Sequence, residues 1–205
     1  MNNKLILAAA VAFAVLPGIA SADFVLDTGT PTGTGPAALL NSSNWYAAEF
    51  SVTAGETIGA LSAYLTQGVG AVGSTYTWDI YSTSGTFTGP NREAPITSFT
   101  GTFSGNGWNT TAVNWTPTTS GSYWVALQVI AGTGETTGVD LPTEASASTG
   151  TVPATAFAYA GSNARYALET NTPVGLEVST VPLPAAAWLL GSGLIGFGAR
   201  IRRRR

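Results

Sequence analysis

Between residues 23 and 180 the chain alternates apolar and polar positions in short runs, and no stretch keeps a helical period. β-Branched and aromatic residues gather between glycine, proline and asparagine turns. The runs predict strands at Trp45–Val52, Thr57–Thr66, Thr75–Ser82, Ile96–Phe103, Trp108–Trp115, Ser122–Ile130, Thr155–Ala160, Arg165–Glu169 and Val174–Ser179. In Thr75–Ser82, Tyr76, Trp78 and Ile80 point one way, and Thr75, Thr77 and Asp79 the other. Ser122–Ile130 is apolar on both faces, as a central strand buried on two sides would be. Ser84-Gly85, Gly89-Pro90-Asn91 and Gly105-Asn106-Gly107 supply the turns. Eight or nine short strands predict an all-β domain, an antiparallel two-sheet sandwich of jelly-roll-like kind. Gly132 to Thr151 carries no pattern and is expected to be a long surface loop.

Both ends break this pattern. Lys4 precedes a 12-residue apolar run, Leu5 to Leu16, which Pro17-Gly18 interrupts. Ala20 and Ala22 put small residues at −3 and −1 before Asp23, so residues 1–22 are expected to be a cleaved signal peptide. An uncleaved anchor is the alternative, but a span needs roughly 20 apolar residues. At the other end, Val181, Pro182, Leu183, Pro184 and Ala185 open a segment whose two prolines forbid helix before Pro184. Residues 185–199 are uncharged, enough for a helix of about 22 Å. Arg200, Arg202, Arg203, Arg204 and Arg205 follow and would hold that end on the cytoplasmic side. The chain therefore divides into 1–22, an ectodomain 23–180 and a tail 181–205 with a transmembrane helix at 185–199. Gly191, Gly193, Gly196 and Gly198 resemble a phosphate loop only superficially, because no strand precedes them. Small residues there would let another helix pack closely in lipid.

Charge sharpens the division. The net charge of −3 hides an ectodomain with Arg92 and Arg165 against all 11 acidic residues, or 2 − 11 = −9, and no lysine. Such a body repels phosphate backbones, which sets nucleic-acid binding aside. Cysteine and histidine are both absent, and with them go disulfides, thiol nucleophiles, common zinc ligand sets and every His-based triad.

Val-Pro-Leu-Pro-Ala, then Ala-Ala-Trp-Leu-Leu-Gly-Ser-Gly-Leu-Ile-Gly-Phe and terminal arginines, resembles a PEP-CTERM sorting signal of the VPLPA variant, with Leu183 where the family usually has Glu. The resemblance covers about 25 residues. It implies a Gram-negative bacterium, recognition by an exosortase, cleavage at or near Val181 to Ala185, and association with exopolysaccharide and biofilm. Phe50-Ser51-Val52 with Thr57-Ile58, Thr77 to Tyr81 and Ser120 to Leu127 are also similar to β-sandwich ectodomains found upstream of such signals, a looser match that implies fold alone.

With no histidine or cysteine, acid–base chemistry falls to carboxylates. A glycosidase needs two across a cleft, and Asp79, Glu49 and Glu56 are the candidates. Nothing local pairs them, and isolated acids on strands are expected to be solvated. Asp140 and Glu144 share the unpatterned loop and are the weak candidates for calcium; no other cofactor is expected. Trp45, Tyr46, Trp108, Trp115, Tyr123 and Trp124 raise sugar stacking, with Trp45 and Trp108 expected to be the most exposed because each follows a polar turn. The sequons at Asn41, Asn109 and Asn114 are expected by chance in a chain with 45 Ser and Thr among 158 ectodomain residues. The expectation is a non-enzymatic, structural or adhesive surface or matrix protein. Its partners would be the Sec translocon, signal peptidase, an exosortase, the inner membrane before processing, and exopolysaccharide. The alternatives are a lectin-like module and, behind it, a polysaccharide-acting enzyme.

Overall fold

Runs that alternate apolar and polar residues cannot bury one face as a helix, but they can as strands. The computed structural model of the protein describes residues 23–31, 37–41, 44–67, 72–83, 94–128, 139–142, 150–160, 166–169 and 174–181. All of them fall within one compact unit, Ala22–Val181. The described residues hold twelve strands and no helix. They begin with β1 (Phe24–Asp27), β2 (Ala37–Leu40), β3 (Trp45–Val52), β4 (Ile58–Gln67), β5 (Thr75–Ser82) and β6 (Thr97–Thr102). They continue with β7 (Gly107–Trp115), β8 (Gly121–Gln128), β9 (Val139–Pro142), β10 (Phe157–Ala160), β11 (Tyr166–Glu169) and β12 (Leu176–Thr180).

These strands make two antiparallel sheets. The first runs β1-β12-β4-β9-β2, with β7 also on β4; the second runs β11-β10-β3-β8-β5-β6. Register fixes which side chains meet. In the first sheet Val178 lies opposite Leu26 and Leu61, and Leu176 opposite Ala63, so these residues share a face. In the second, Trp78 lies opposite Leu127 and Ile80 opposite Val125, with Tyr46, Ala48 and Phe50 continuing that face on β3. All of them belong to one buried hydrophobic cluster. The Trp78 Nε1–H donates to Thr111 Oγ1 at 3.1 Å, a direct bond from the inner face of one sheet to that of the other.

Two expectations need correction. The stretch Gly132 to Thr151 is not all loop: β9 lies within it and pairs with β2, so Asp140 sits in a strand, in register with Leu39 and Thr66. Asp79 is not solvated. It is 3% exposed, because β5 is buried on both sides. The expected burial of both faces of the β8 segment does hold, from Tyr123 through Gln128.

Gly105-Asn106-Gly107 is a turn, as its composition predicts, and Gly105 and Gly107 both take positive φ. Asn109, inside β7, holds the turn shut. Its carboxamide oxygen accepts from Ser104 N at 2.6 Å and Ser104 Oγ at 2.8 Å. Its Nδ2 donates to the Gly105 and Gly107 carbonyls at 2.9 and 2.8 Å. With every amide valence used and the residue 1% exposed, this sequon is a turn staple and no glycan acceptor.

Candidate functional site

The sorting residues divide at the margins of the compact unit. Ala20, Ala22, Pro182, Leu183, Pro184, Ala185 and the arginines Arg200 and Arg202 to Arg205 lie outside the described residues. Asp23 and Val181 lie inside, and the structure brings them together. The Asp23 carbonyl accepts from Thr180 N at 2.8 Å and Thr180 Oγ1 at 3.2 Å, and Val181 N donates to the Thr57 carbonyl at 2.8 Å. First and last described residues thus leave from neighbouring points on the β1–β12 edge. Among the described residues no helix is long and apolar enough to cross a membrane, and both the expected signal peptide, 1–22, and the expected transmembrane helix, 185–199, lie outside them.

The candidate acids are scattered. Glu49 and Asp79 share the outward face of the second sheet, but β8 runs between their strands, so their backbones stand about 10 Å apart with Trp124 and Ala126 intervening. Each carboxylate is already bonded. Glu49 accepts from Thr155 Oγ1 at 2.9 Å, whereas Asp79 accepts from Ser98 Oγ at 2.5 Å and from the Tyr81 hydroxyl at 3.3 Å. Gln128 Nε2 donates to that same hydroxyl at 2.9 Å, which closes a buried polar network. Glu56 lies in the turn after β3, where Oε2 accepts from Thr53 N. Glu144 lies outside the described residues, and among those described no three acidic side chains gather to hold a metal ion.

Among the described residues, one acidic pair that does meet was not among the candidates. Asp27 and Glu177 face each other across the β1–β12 ladder. Burial pushes the Asp27 carboxyl up, but bonds from Thr151 N and Oγ1 and from Gly29 N outweigh it, so Asp27 titrates below its ordinary value. Burial and the neighbouring Asp27 charge raise Glu177, with Ser62 opposing. Two like charges in cross-strand register read as stored repulsion, not as a site.

Neither favoured tryptophan stands open. Trp45 is 7% exposed and lies opposite Ala160 in the second sheet. Trp108 is half-buried on the first sheet; its indole N–H donates to Thr30 Oγ1 at 3.1 Å, and its ring stands edge-on to Tyr64 at 5.6 Å. The two sit on different sheets, so no shared cleft joins them.

A different pair lines a groove of about 450 Å³ at the β7–β8 connection. Trp115 ends β7 and meets Tyr123 of β8 edge-on, centroids 5.1 Å apart. Tyr123 donates its hydroxyl to the Thr119 carbonyl at 2.8 Å, so Thr119 Oγ1, 2.9 Å away, is the donor in return. Thr83 Oγ1 donates to the Ser122 carbonyl at 2.9 Å. The loop 116–120 is tied down from outside the groove: Ala54 N donates to Ser120 Oγ at 2.8 Å, Gly55 N to the Pro117 carbonyl at 3.0 Å, and the hydroxyls of Thr57 and Thr116 meet at 2.8 Å. No described residue lining the groove is charged. In sequence this loop, Thr-Pro-Thr-Thr-Ser, looks like a bland turn. Topology alone brings Thr83 and Ile96 beside it. Comparison with protein-family models, with curated proteins and with solved structures finds no match for this chain.

Proposed function

We propose that the chain is an exported surface or matrix protein, sorted by an exosortase, whose jelly-roll ectodomain is a passive structural or adhesive module. The observation that carries the reading is where the compact unit stops. It ends at Val181, where the Pro-x-Pro, apolar and arginine segments begin, and it starts within one residue of Asp23, where a cleaved signal would leave the chain. Asp23 is bonded to Thr180, so both cuts would fall at one edge of a ladder that needs neither removed segment to close.

The jelly-roll reading rests on strand order. With β2, β9, β10 and β11 set aside, the sheets run β1-β12-β4-β7 and β3-β8-β5-β6. The eight remaining strands then alternate between the sheets in chain order except at the β5–β6 hairpin, as in two interlocked Greek keys. A non-enzymatic role is supported by the engaged and separated carboxylates, Glu49 with Thr155 and Asp79 with Ser98. Deleting Arg200–Arg205 tests the sorting reading. The variant should be released or mislocalised on cell fractionation, and an unchanged distribution contradicts it.

A further inference from the structure

We infer that the groove between Trp115 and the 116–120 loop binds a neutral hexopyranose unit of a polysaccharide, stacking the apolar face of the sugar ring on the indole. The chemistry of the lining selects the ligand. A volume of about 450 Å³ lies within the roughly 300–1,000 Å³ usual for small-molecule sites. The lining joins the partly buried Trp115 and the buried Tyr123 to a dense set of hydroxyls, among them Thr83, Thr116, Thr118 and Ser120. A pyranose has the matching halves: axial C–H groups that pack on a π face, and equatorial hydroxyls that both donate and accept.

Charge among the described residues points the same way. None of the described lining residues is a cation, so an acidic sugar or a phosphate finds no ion-pair partner among them, and the acidic ectodomain would repel it. None of them is an anion either, so a basic peptide would lose hydration there without gaining an ion pair. A neutral polyol matches the hydroxyl-rich lining.

The groove is also ready-made. Trp115 is held against Tyr123, Tyr123 against Thr119, and Ser120 against Ala54, so little ordering is left for binding to impose. The Thr116 and Ser120 hydroxyls each keep hydrogen-bonding capacity beyond the bond that anchors them, and Thr118 is exposed at the rim. This site stands apart from the sorting reading: sugar binding would persist in a chain that was never sorted.

Affinity electrophoresis of the full-length chain in detergent micelles tests the inference, with gels containing dextran, β-glucan or galactomannan as neutral probes and alginate as the acidic one. At least one neutral polymer should retard the protein, and alginate should retard it less. Trp115→Ala should weaken that retardation about tenfold, the scale of one lost aromatic contact. Trp115 also packs on the core, so Thr118→Arg at the exposed rim serves as the second variant. It should stay folded by circular dichroism and lose binding comparably. Absence of retardation by all three neutral polymers overturns the inference, as does retardation by alginate equal to theirs, or undiminished binding by either variant when folded.

Discussion

Gly101 lies directly opposite Tyr76 across the β5–β6 ladder, and a Cβ at Gly101 would overlap the Tyr76 ring. The absence of a side chain on β6 is what lets the phenol lie flat beneath it, 1% exposed and edge-on to Trp78. Gly101→Ala forces that ring off its rotamer or moves the edge strand. The expected loss is about 3 kcal/mol, measured by chemical denaturation.

Tyr76 itself carries the opposite prediction. Its hydroxyl is buried without a hydrogen bond of normal geometry, and burial pushes the phenol above its ordinary pKa, weakly opposed by the nearby Thr111 and Trp78 side chains. Replacing it by phenylalanine removes a desolvated group and keeps the ring. Tyr76→Phe should therefore be neutral or stabilising by about 1 kcal/mol in the same assay. A clear loss of stability would mean that the hydroxyl does bond Thr111 or Trp78.

Asn109→Ala strips four hydrogen bonds from the Ser104–Gly107 turn and leaves Ser104 N without its acceptor. The expected cost is about 2–3 kcal/mol. Asn109→Asp keeps an acceptor for Ser104 N but cannot donate to the Gly105 and Gly107 carbonyls, so it should fall between wild type and alanine.

Glu177 and Asp27 pull stability in opposite directions with pH. Glu177 has its folded pKa raised, so the folded state prefers it protonated. Its charge opposes folding above that pKa, and the opposition disappears as pH falls toward the ordinary value of 4.5. Asp27 has its folded pKa lowered, so its contribution is present above the ordinary value of 3.8 and is lost as pH falls through the folded value. Stability should thus rise slightly on mild acidification before it falls. Glu177→Gln should flatten the rise and raise the thermal midpoint at neutral pH; a variant less stable there would contradict this sign.

What the sequence made legible followed from strong local alternation. Trp45–Val52 and Thr75–Ser82 read correctly to the residue, because large apolar side chains recur at every second position between clear turns. β1 left almost no trace: of Phe-Val-Leu-Asp only Leu26 is buried, and its partner strand β12 lies about 150 residues away. β9 was hidden among glycines and threonines and ends in proline, and its partners β2 and β4 lie about 100 and 70 residues away. The burial of Asp79 was invisible for a related reason. Alternation identifies the face that meets the core, but says nothing of whether the other face is also covered. Trp115 was one aromatic among several, and only the fold sets Thr83 beside its loop.

Mass spectrometry of the mature protein tests the central claim most directly. The account predicts a chain that begins at Asp23 and ends between Val181 and Ala185, recovered outside the cytoplasm. A full-length chain, soluble in the cytoplasm with Met1 and Arg205 both present, would contradict it.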